Sequence, residues 1–258
     1  MHYETIQTQI NDGVAVITLN RPDVMNALSK TMRHEITDAV TALGAQSRCV
    51  VITGNGRSFC SGQDLSDGQG AHTLDLEGTL NDEYVPMLRA IFDCPVPTIS
   101  AVNGPAAGAG ANLALAADVV IASHDAFFLQ AFTKIGLIPD AGGTYWLPRQ
   151  VGSARAMGAA LFADKISAQQ AADWGMIYEA EPAATFDAHW RARAAHLAAG
   201  PTATYAHVKT AIRGSFENSL DEQLALEAKL QAACGNTQDF VEGVTAFLEK
   251  RPAKFTGR

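Results

Sequence analysis

The sequence predicts an α/β fold. Three observations carry that expectation: a hairpin near the N-terminus, short apolar runs alternating with helix-periodic segments, and a C-terminal part rich in Ala and Leu. Tyr3 to Ile10 and Val14 to Leu19 flank Asp12-Gly13, a strong tight-turn signal, and read as the two strands of the hairpin. Leu28, Met32, Ile36, Val40 and Leu43 recur every three or four residues, the spacing of one helix face, before Cys49 to Thr53 supplies a short buried strand. The alternation repeats with Pro97 to Val102 as a strand, Ala106 to Ala117 as a small-residue helix, Val119 to Ala122 as a strand, and more helix after Gly142-Gly143. From about Ser153 nearly everything reads as helix, with capping boxes expected at Ser167 with Gln170 and at Ser219 with Glu222. Gly200-Pro201 is the place to divide a core from a helical tail.

Composition narrows the function. The 258 residues, 47% hydrophobic and 18% charged, suit an ordinary globular protein with a sizeable core. A net charge of −8 offers no general field for phosphate backbones, so nucleic acid is not an expected partner. An anionic ligand then needs a local patch, for which Arg21, Lys30, Arg57, Lys134, Arg149, Lys250, Arg251 and Lys254 are candidates. Cys49, Cys60, Cys94 and Cys234 show no paired spacing, which fits reduced thiols of a cytoplasmic protein. Neither a signal peptide nor a membrane span is expected, since Asn112 and Asp118 interrupt the most apolar stretch.

Several chemistries lack their motifs. There is no HExxH, GxSxG, Walker A or GxGxxG pattern; Gly108-Ala-Gly110 has Leu113 where a third glycine would stand. His189 and His196, seven apart on an expected helix and without a third ligand, make a poor metal site, and no metal is expected.

Three segments carry a signal: Ser58-Phe-Cys-Ser-Gly-Gln-Asp-Leu65, Asn103 to Asn112, and Gly136-Leu-Ile-Pro-Asp-Ala-Gly-Gly-Thr144. The first two each end a strand and lead towards helical sequence, and free N–H groups at such a turn can hold an anion or an oxyanion. The same turns also serve purely structural roles. Asp140, likewise, is either a helix N-cap or a carboxylate with chemistry to do.

Together with Leu19-Asn-Arg-Pro22 and Met25-Asn-Ala-Leu28, these segments resemble the crotonase (enoyl-CoA hydratase/isomerase) superfamily over nearly the full length. The resemblance implies a crotonase-like spiral of ββα turns over residues 1–200 holding an acyl-CoA site, and a helical oligomerisation region over 201–258. It implies an acyl-CoA thioester substrate, a homotrimer or dimer of trimers, and no cofactor beyond the CoA of the substrate. Carried over by motif, the oxyanion donors are the backbone N–H groups of Gln63 and Ala109. The CoA moiety falls to Arg21, Ser61, Gly62, Asp64, Leu65 and Gly108, with Phe247 and Lys250 coming from a neighbouring subunit. For Lys250 plain surface charge stays open.

Hydratases of the family use two glutamates, whose places hold Asn112 and Phe132; a phenyl ring takes no proton. Asp140 stands where several isomerases carry an aspartate. Burial near Phe132 and Leu137 is expected to raise its pKa, as suits a base that accepts a proton and returns it elsewhere. Phe132 either shapes the substrate pocket or packs in the core. From Phe59-Cys-Ser-Gly-Gln-Asp-Leu65 to the terminal Phe255-Thr-Gly257, the motifs resemble the subfamily that converts ring 1,2-epoxyphenylacetyl-CoA to oxepin-CoA in phenylacetate degradation. Related enzymes shift the double bond of dehydroadipyl-CoA from the 3,4 to the 2,3 position. A linear enoyl- or dienoyl-CoA isomerase, a hydratase and a silent acyl-CoA-binding protein are the alternatives.

Overall fold

Asp12 and Gly13 both take the left-handed backbone (φ 48° and 78°), the turn geometry that Asp-Gly favours between twisted strands. In the computed structural model, which describes residues 2–66 and 75–258, this turn joins β1 (Ile6–Asn11) to β2 (Val14–Leu19) in antiparallel register. The first strand begins at Ile6 rather than Tyr3. The backbone N–H groups of Glu4 and Thr5 donate to the Glu35 carboxylate (2.6 and 2.9 Å) instead of to a strand.

After α1 (Lys30–Gly44) come β3 (Cys49–Gly54), α2 (Leu76–Thr79), a π-helical turn (Leu80–Tyr84), α3 (Val85–Phe92) and β4 (Thr98–Val102). Then follow β5 (Ala106–Ala107), α4 (Ala109–Leu115), β6 (Val119–Ser123), β7 (Phe127–Leu129), a 3-10 turn (Ala131–Ile135) and α5 (Gly143–Phe162). The chain continues through β8 (Ile166–Ser167), α6 (Ala168–Asp173), β9 (Glu179–Glu181), α7 (Ala183–Ala199), α8 (Thr202–Gly214), α9 (Leu220–Gly235) and α10 (Gln238–Glu249).

One sheet has the order β1-β2-β3-β4-β6-β9, parallel from β2 onward, and a small second sheet has the order β5-β7-β8. Both faces of β3 are covered, so its residues alternate between two clusters. Val50 and Ile52 pack with Met32, Ile36, Met87 and Leu113, whereas Cys49 and Val51 meet Phe186, Trp190 and Ala194 of α7. That double burial is why the strand reads as continuously apolar.

Local propensity alone misplaces several elements. Leu28 lies before the Ser29 N-cap rather than inside α1; it is buried because its backbone bridges to Gln63. Ala106 to Ala117 is not one helix: Gly108, at φ 53° and ψ −129°, separates a two-residue strand paired with Phe128 and Leu129 from α4. Tertiary pairing overrides the helix preference of alanine there. Within the stretch after Ser153, β8 and β9 are strands because β7 and β6 offer them edges. Ser167 caps α6 through Gln170 N–H without the reciprocal bond, while Ser219 and Glu222 form the full capping box.

Residues 200 and 201 connect α7 to α8, and α8 is held to the body by Lys209 and Arg213, both paired with Asp118. No helix among the described residues is long and apolar enough to cross a membrane.

Candidate active site

Two turns meet at the site. Leu28 N–H donates to Gly62 O (2.8 Å) and Asp64 N–H donates to Leu28 O (3.2 Å), so the backbone is gripped on either side of Gln63. Ala107 N–H donates to Cys60 O (2.9 Å) and Gly108 N–H to Leu129 O (2.8 Å), fixing the second turn against the first. Gly62 sits at φ 96°, and a Cβ there would stand 2.8 Å from Ala107 O and 3.4 Å from Ala109 N. A side chain at residue 62 would therefore be strained and would force the turns apart.

Ala109 opens α4, where the first N–H groups have no intrahelical acceptor. Gln63 N–H points away from its bridge to Leu28. Neither N–H finds an acceptor among the described residues, and both belong to the lining of one cavity.

That cavity, about 270 Å³, is also lined by Ser61, Gly62, Leu65, Gly108, Phe132 and Asp140. Its walls are otherwise mostly apolar, from Leu76 and Leu80 on one side to Ile135 and Leu137 on the other. Asp140 is not an N-cap: that position before α5 is held by Gly142, and no side chain caps the helix. Its Oδ1 is buried and has no hydrogen-bond partner among the described residues. Desolvation pushes the carboxyl up from 3.8 to about 6, the expected direction for a half-buried carboxylate in a cavity also lined by Phe132 and Leu137.

The turn carrying Asp140 is braced from behind. Asn112, fully buried in α4, donates from Nδ2 to Asp140 O (2.7 Å) and accepts at Oδ1 from Gln130 Nε2 (2.8 Å). Both ends of the Asn112 amide are thus committed. Phe132 is nearly buried yet reaches the cavity wall, so it both packs and shapes the site.

The residues expected at the CoA end are more scattered. Arg21 Nη1 donates to Asp64 Oδ2 and to Ala27 O (both 2.7 Å), so these two predicted residues first bind each other. Against the effect of burial, the Ser66 hydroxyl, the Arg21 guanidinium and the Ser66 N–H hold the Asp64 carboxyl below its usual range. Leu65 is exposed beside the cavity mouth. Phe247, 82% exposed, and Lys250 lie at the end of α10 and do not line this cavity.

Sequence reasoning missed Tyr84, Arg33 and Glu83. Arg33 is buried and donates Nε and Nη2 to Glu83, and it donates Nη1 to Leu28 O (2.6 Å) and to Gln63 Oε1 (3.0 Å). Arg33 falls on the buried face of α1, a signal the sequence offered. Glu83 and Tyr84 sit in the π-helical turn, which no local pattern announces. Away from the cavity, Glu179, Glu181 and His189 place ligand atoms within 4.8 Å of one another, so folding brings to His189 two carboxylates from β9. Arg193 already pairs with Glu179, and the cluster reads as an ion-pair network.

Residues 9–258 match the enoyl-CoA hydratase/isomerase family, and the chain belongs to that family. It is 62% identical, over the full length of both chains, to the "Probable enoyl-CoA hydratase" of Rhodobacter capsulatus. It is 44% identical to the "1,2-epoxyphenylacetyl-CoA isomerase" of Escherichia coli, with 99% of each chain covered. The solved structure of an enoyl-CoA hydratase from Polaromonas sp. JS666 superposes with a TM-score of 0.91 at 31% identity, covering 97% of this chain and 99% of that one. The protein is thus a crotonase-fold enzyme of the enoyl-CoA hydratase/isomerase family.

Proposed function

We propose that the protein is an acyl-CoA isomerase in which Asp140 carries a proton between two carbons of a thioester. One observation carries this: Asp140 is the sole carboxylate among the described residues lining the cavity that also holds the N–H groups of Gln63 and Ala109. Loss of the C2 proton sends electrons onto the thioester oxygen. Two preorganised N–H donors stabilise that charge where it develops. Asp140 accepts the C2 proton and returns it to C4, and the double bond re-forms between C2 and C3, so nothing is gained or lost overall. No cofactor is required beyond the CoA of the substrate.

Within this class we favour ring 1,2-epoxyphenylacetyl-CoA, opened to oxepin-CoA without change of mass. The name of the Escherichia coli relative and the apolar wall with Phe132 and Tyr84 support that choice. The name of the Rhodobacter capsulatus relative favours hydration instead. Against it stand the phenyl ring at Phe132 and the amide of Asn112, neither of which can take a proton from a water as a glutamate does, and Asn112 is fully buried with its amide already bonded to Asp140 O and Gln130. Phe247 and Lys250, remote from this cavity, would meet CoA across a subunit boundary in a trimer.

The test presents purified protein with ring-epoxidised phenylacetyl-CoA, generated in place, beside trans-3-hexenoyl-CoA. A new chromophore at unchanged mass from the epoxide, lost in Asp140→Asn, is the expected result. Turnover of the linear thioester alone would move the assignment to an enoyl-CoA isomerase.

A further inference from the structure

Gln63 uses its two ends differently. Its backbone N–H finds no acceptor among the described residues and Gln63 lines the cavity, whereas its side-chain Oε1 accepts from Arg33 Nη1 (3.0 Å) and from Tyr84 Oη (2.5 Å). Arg33 in turn is fixed four ways: by Glu83 through Nε and Nη2, by Leu28 O, and by stacking 4.9 Å over the Tyr84 ring. Leu28 is the same residue whose backbone grips the chain on either side of Gln63. The bonds of Arg33, Tyr84 and Leu28 in this cluster therefore converge on the placement of Gln63.

The π-helical turn Leu80–Tyr84 carries the consecutive residues Glu83 and Tyr84, and both are buried. Glu83 meets Arg33 from one side and the Tyr84 hydroxyl meets Gln63 from the other. Buried ion pairs are seldom retained for stability alone, since desolvation offsets much of the attraction. Fixing a direction is a use that such a pair serves well.

We propose that the Gln63 side chain, clamped between Arg33 and the Tyr84 hydroxyl, aims the Gln63 backbone N–H at the thioester oxygen, making Arg33, Glu83 and Tyr84 positioning residues. The inference rests on the isomerase assignment and adds to it a reason for glutamine at this position: the side chain acts as an acceptor only. Glutamate supplies the same acceptor to the same two donors, whereas alanine supplies none.

The experiment compares Gln63→Ala, Gln63→Glu and Tyr84→Phe with the wild type. Two signals are read: turnover of trans-3-hexenoyl-CoA or the ring epoxide, and the ultraviolet red shift of bound 2,4-hexadienoyl-CoA, which reports polarisation of the carbonyl. Thermal melting confirms folding. Gln63→Ala is expected to lower kcat by about 10- to 100-fold with KM changed less than about threefold, and to shrink the red shift. Tyr84→Phe should give a smaller loss of both, and Gln63→Glu should recover most of both.

Wild-type kcat and red shift in both Gln63→Ala and Tyr84→Phe would overturn the proposal. So would a loss in Tyr84→Phe alone, because the hydroxyl would then act on the substrate directly. A wild type that polarises the bound chromophore but isomerises nothing would overturn the isomerase assignment while the red shifts of the variants still decide the clamp.

Discussion

Two partly buried carboxylates, Asp118 and Asp140, each border a recess, and their surroundings differ in every respect. Asp118 edges a groove of about 380 Å³ between α5 and α8, larger than the cavity at Asp140. Its Oδ2 accepts from Thr98 N–H (2.8 Å) and Lys209 Nζ (2.8 Å), and its Oδ1 pairs with Arg213 (2.6 Å). Lys209 also reaches Cys94 O and Val96 O, and Arg213 stacks on Phe92, so the whole cluster fastens α8 to the sheet. Asp140 has a buried oxygen with no partner, two unengaged N–H groups in the same cavity, and a carboxyl pushed up to about 6. A carboxylate with satisfied oxygens holds structure; one left unsatisfied in an apolar wall is poised for protons. Size of the recess does not make that distinction.

The comparison breaks most sharply at Asp140→Asn. Turnover should fall by about 10²- to 10⁴-fold, while binding of a substrate analogue, followed by calorimetry, stays near the wild-type value. Asp118→Asn should do the reverse. Removing the shared anion leaves Lys209 and Arg213 facing each other, at a cost of about 2–4 kcal/mol in a denaturant titration, with kcat of the folded protein unchanged.

Asn112→Ala tests the brace behind Asp140. The loss of its bonds to Asp140 O and Gln130 should cost about 1–3 kcal/mol in stability. The loosened turn should also lower kcat by roughly tenfold, read in the same assay.

The pH dependence sharpens the contrast. Only ionised Asp140 is a base, so kcat/KM should rise through pH about 6 and then level off. For stability the sign is opposite to that of a paired carboxylate. A folded-state value raised from 3.8 to about 6 means that the folded protein binds more protons in that window, so stability falls as pH rises through it. Asp140→Asn should therefore be more stable than the wild type above pH about 6, by about 1 kcal/mol once solvent screening is allowed for, with no advantage below about 3.8. Melting curves at pH 4 and 8 check this smallest effect.

Much of this site was legible in sequence because its parts are local. The tight turns at Gly62 and Gly108 and the proline before Asp140 are each visible within a few residues, and the resemblance to the family adds that Asn112 and Phe132 stand where its hydratases carry glutamate. Strands β2, β3, β4 and β6 were legible too, β3 most plainly, as the short apolar-rich runs that a doubly covered sheet demands. What escaped depends on distant partners. Ala106 and Ala107 become a strand only because Phe128 and Leu129 lie alongside, and Glu179 to Glu181 only because β6 presents an edge. Tyr84 and Glu83 enter the site through a π-helical turn whose sequence, Leu-Asn-Asp-Glu-Tyr, looks like ordinary exposed helix. Arg21 and Asp64 were both placed at the CoA end, but their ion pair, 43 residues apart in sequence, could be found only in the folded chain.

The central claim is that one carboxylate moves a proton and no water is added. Its most direct test is mass spectrometry of products formed in H₂¹⁸O from the ring epoxide and trans-3-hexenoyl-CoA, with crotonyl-CoA alongside, by wild type and Asp140→Asn. The account predicts a product of substrate mass, free of ¹⁸O, that disappears in the variant, and no change to crotonyl-CoA. An ¹⁸O-labelled hydroxyacyl-CoA formed from crotonyl-CoA at a rate indifferent to Asp140→Asn would contradict it.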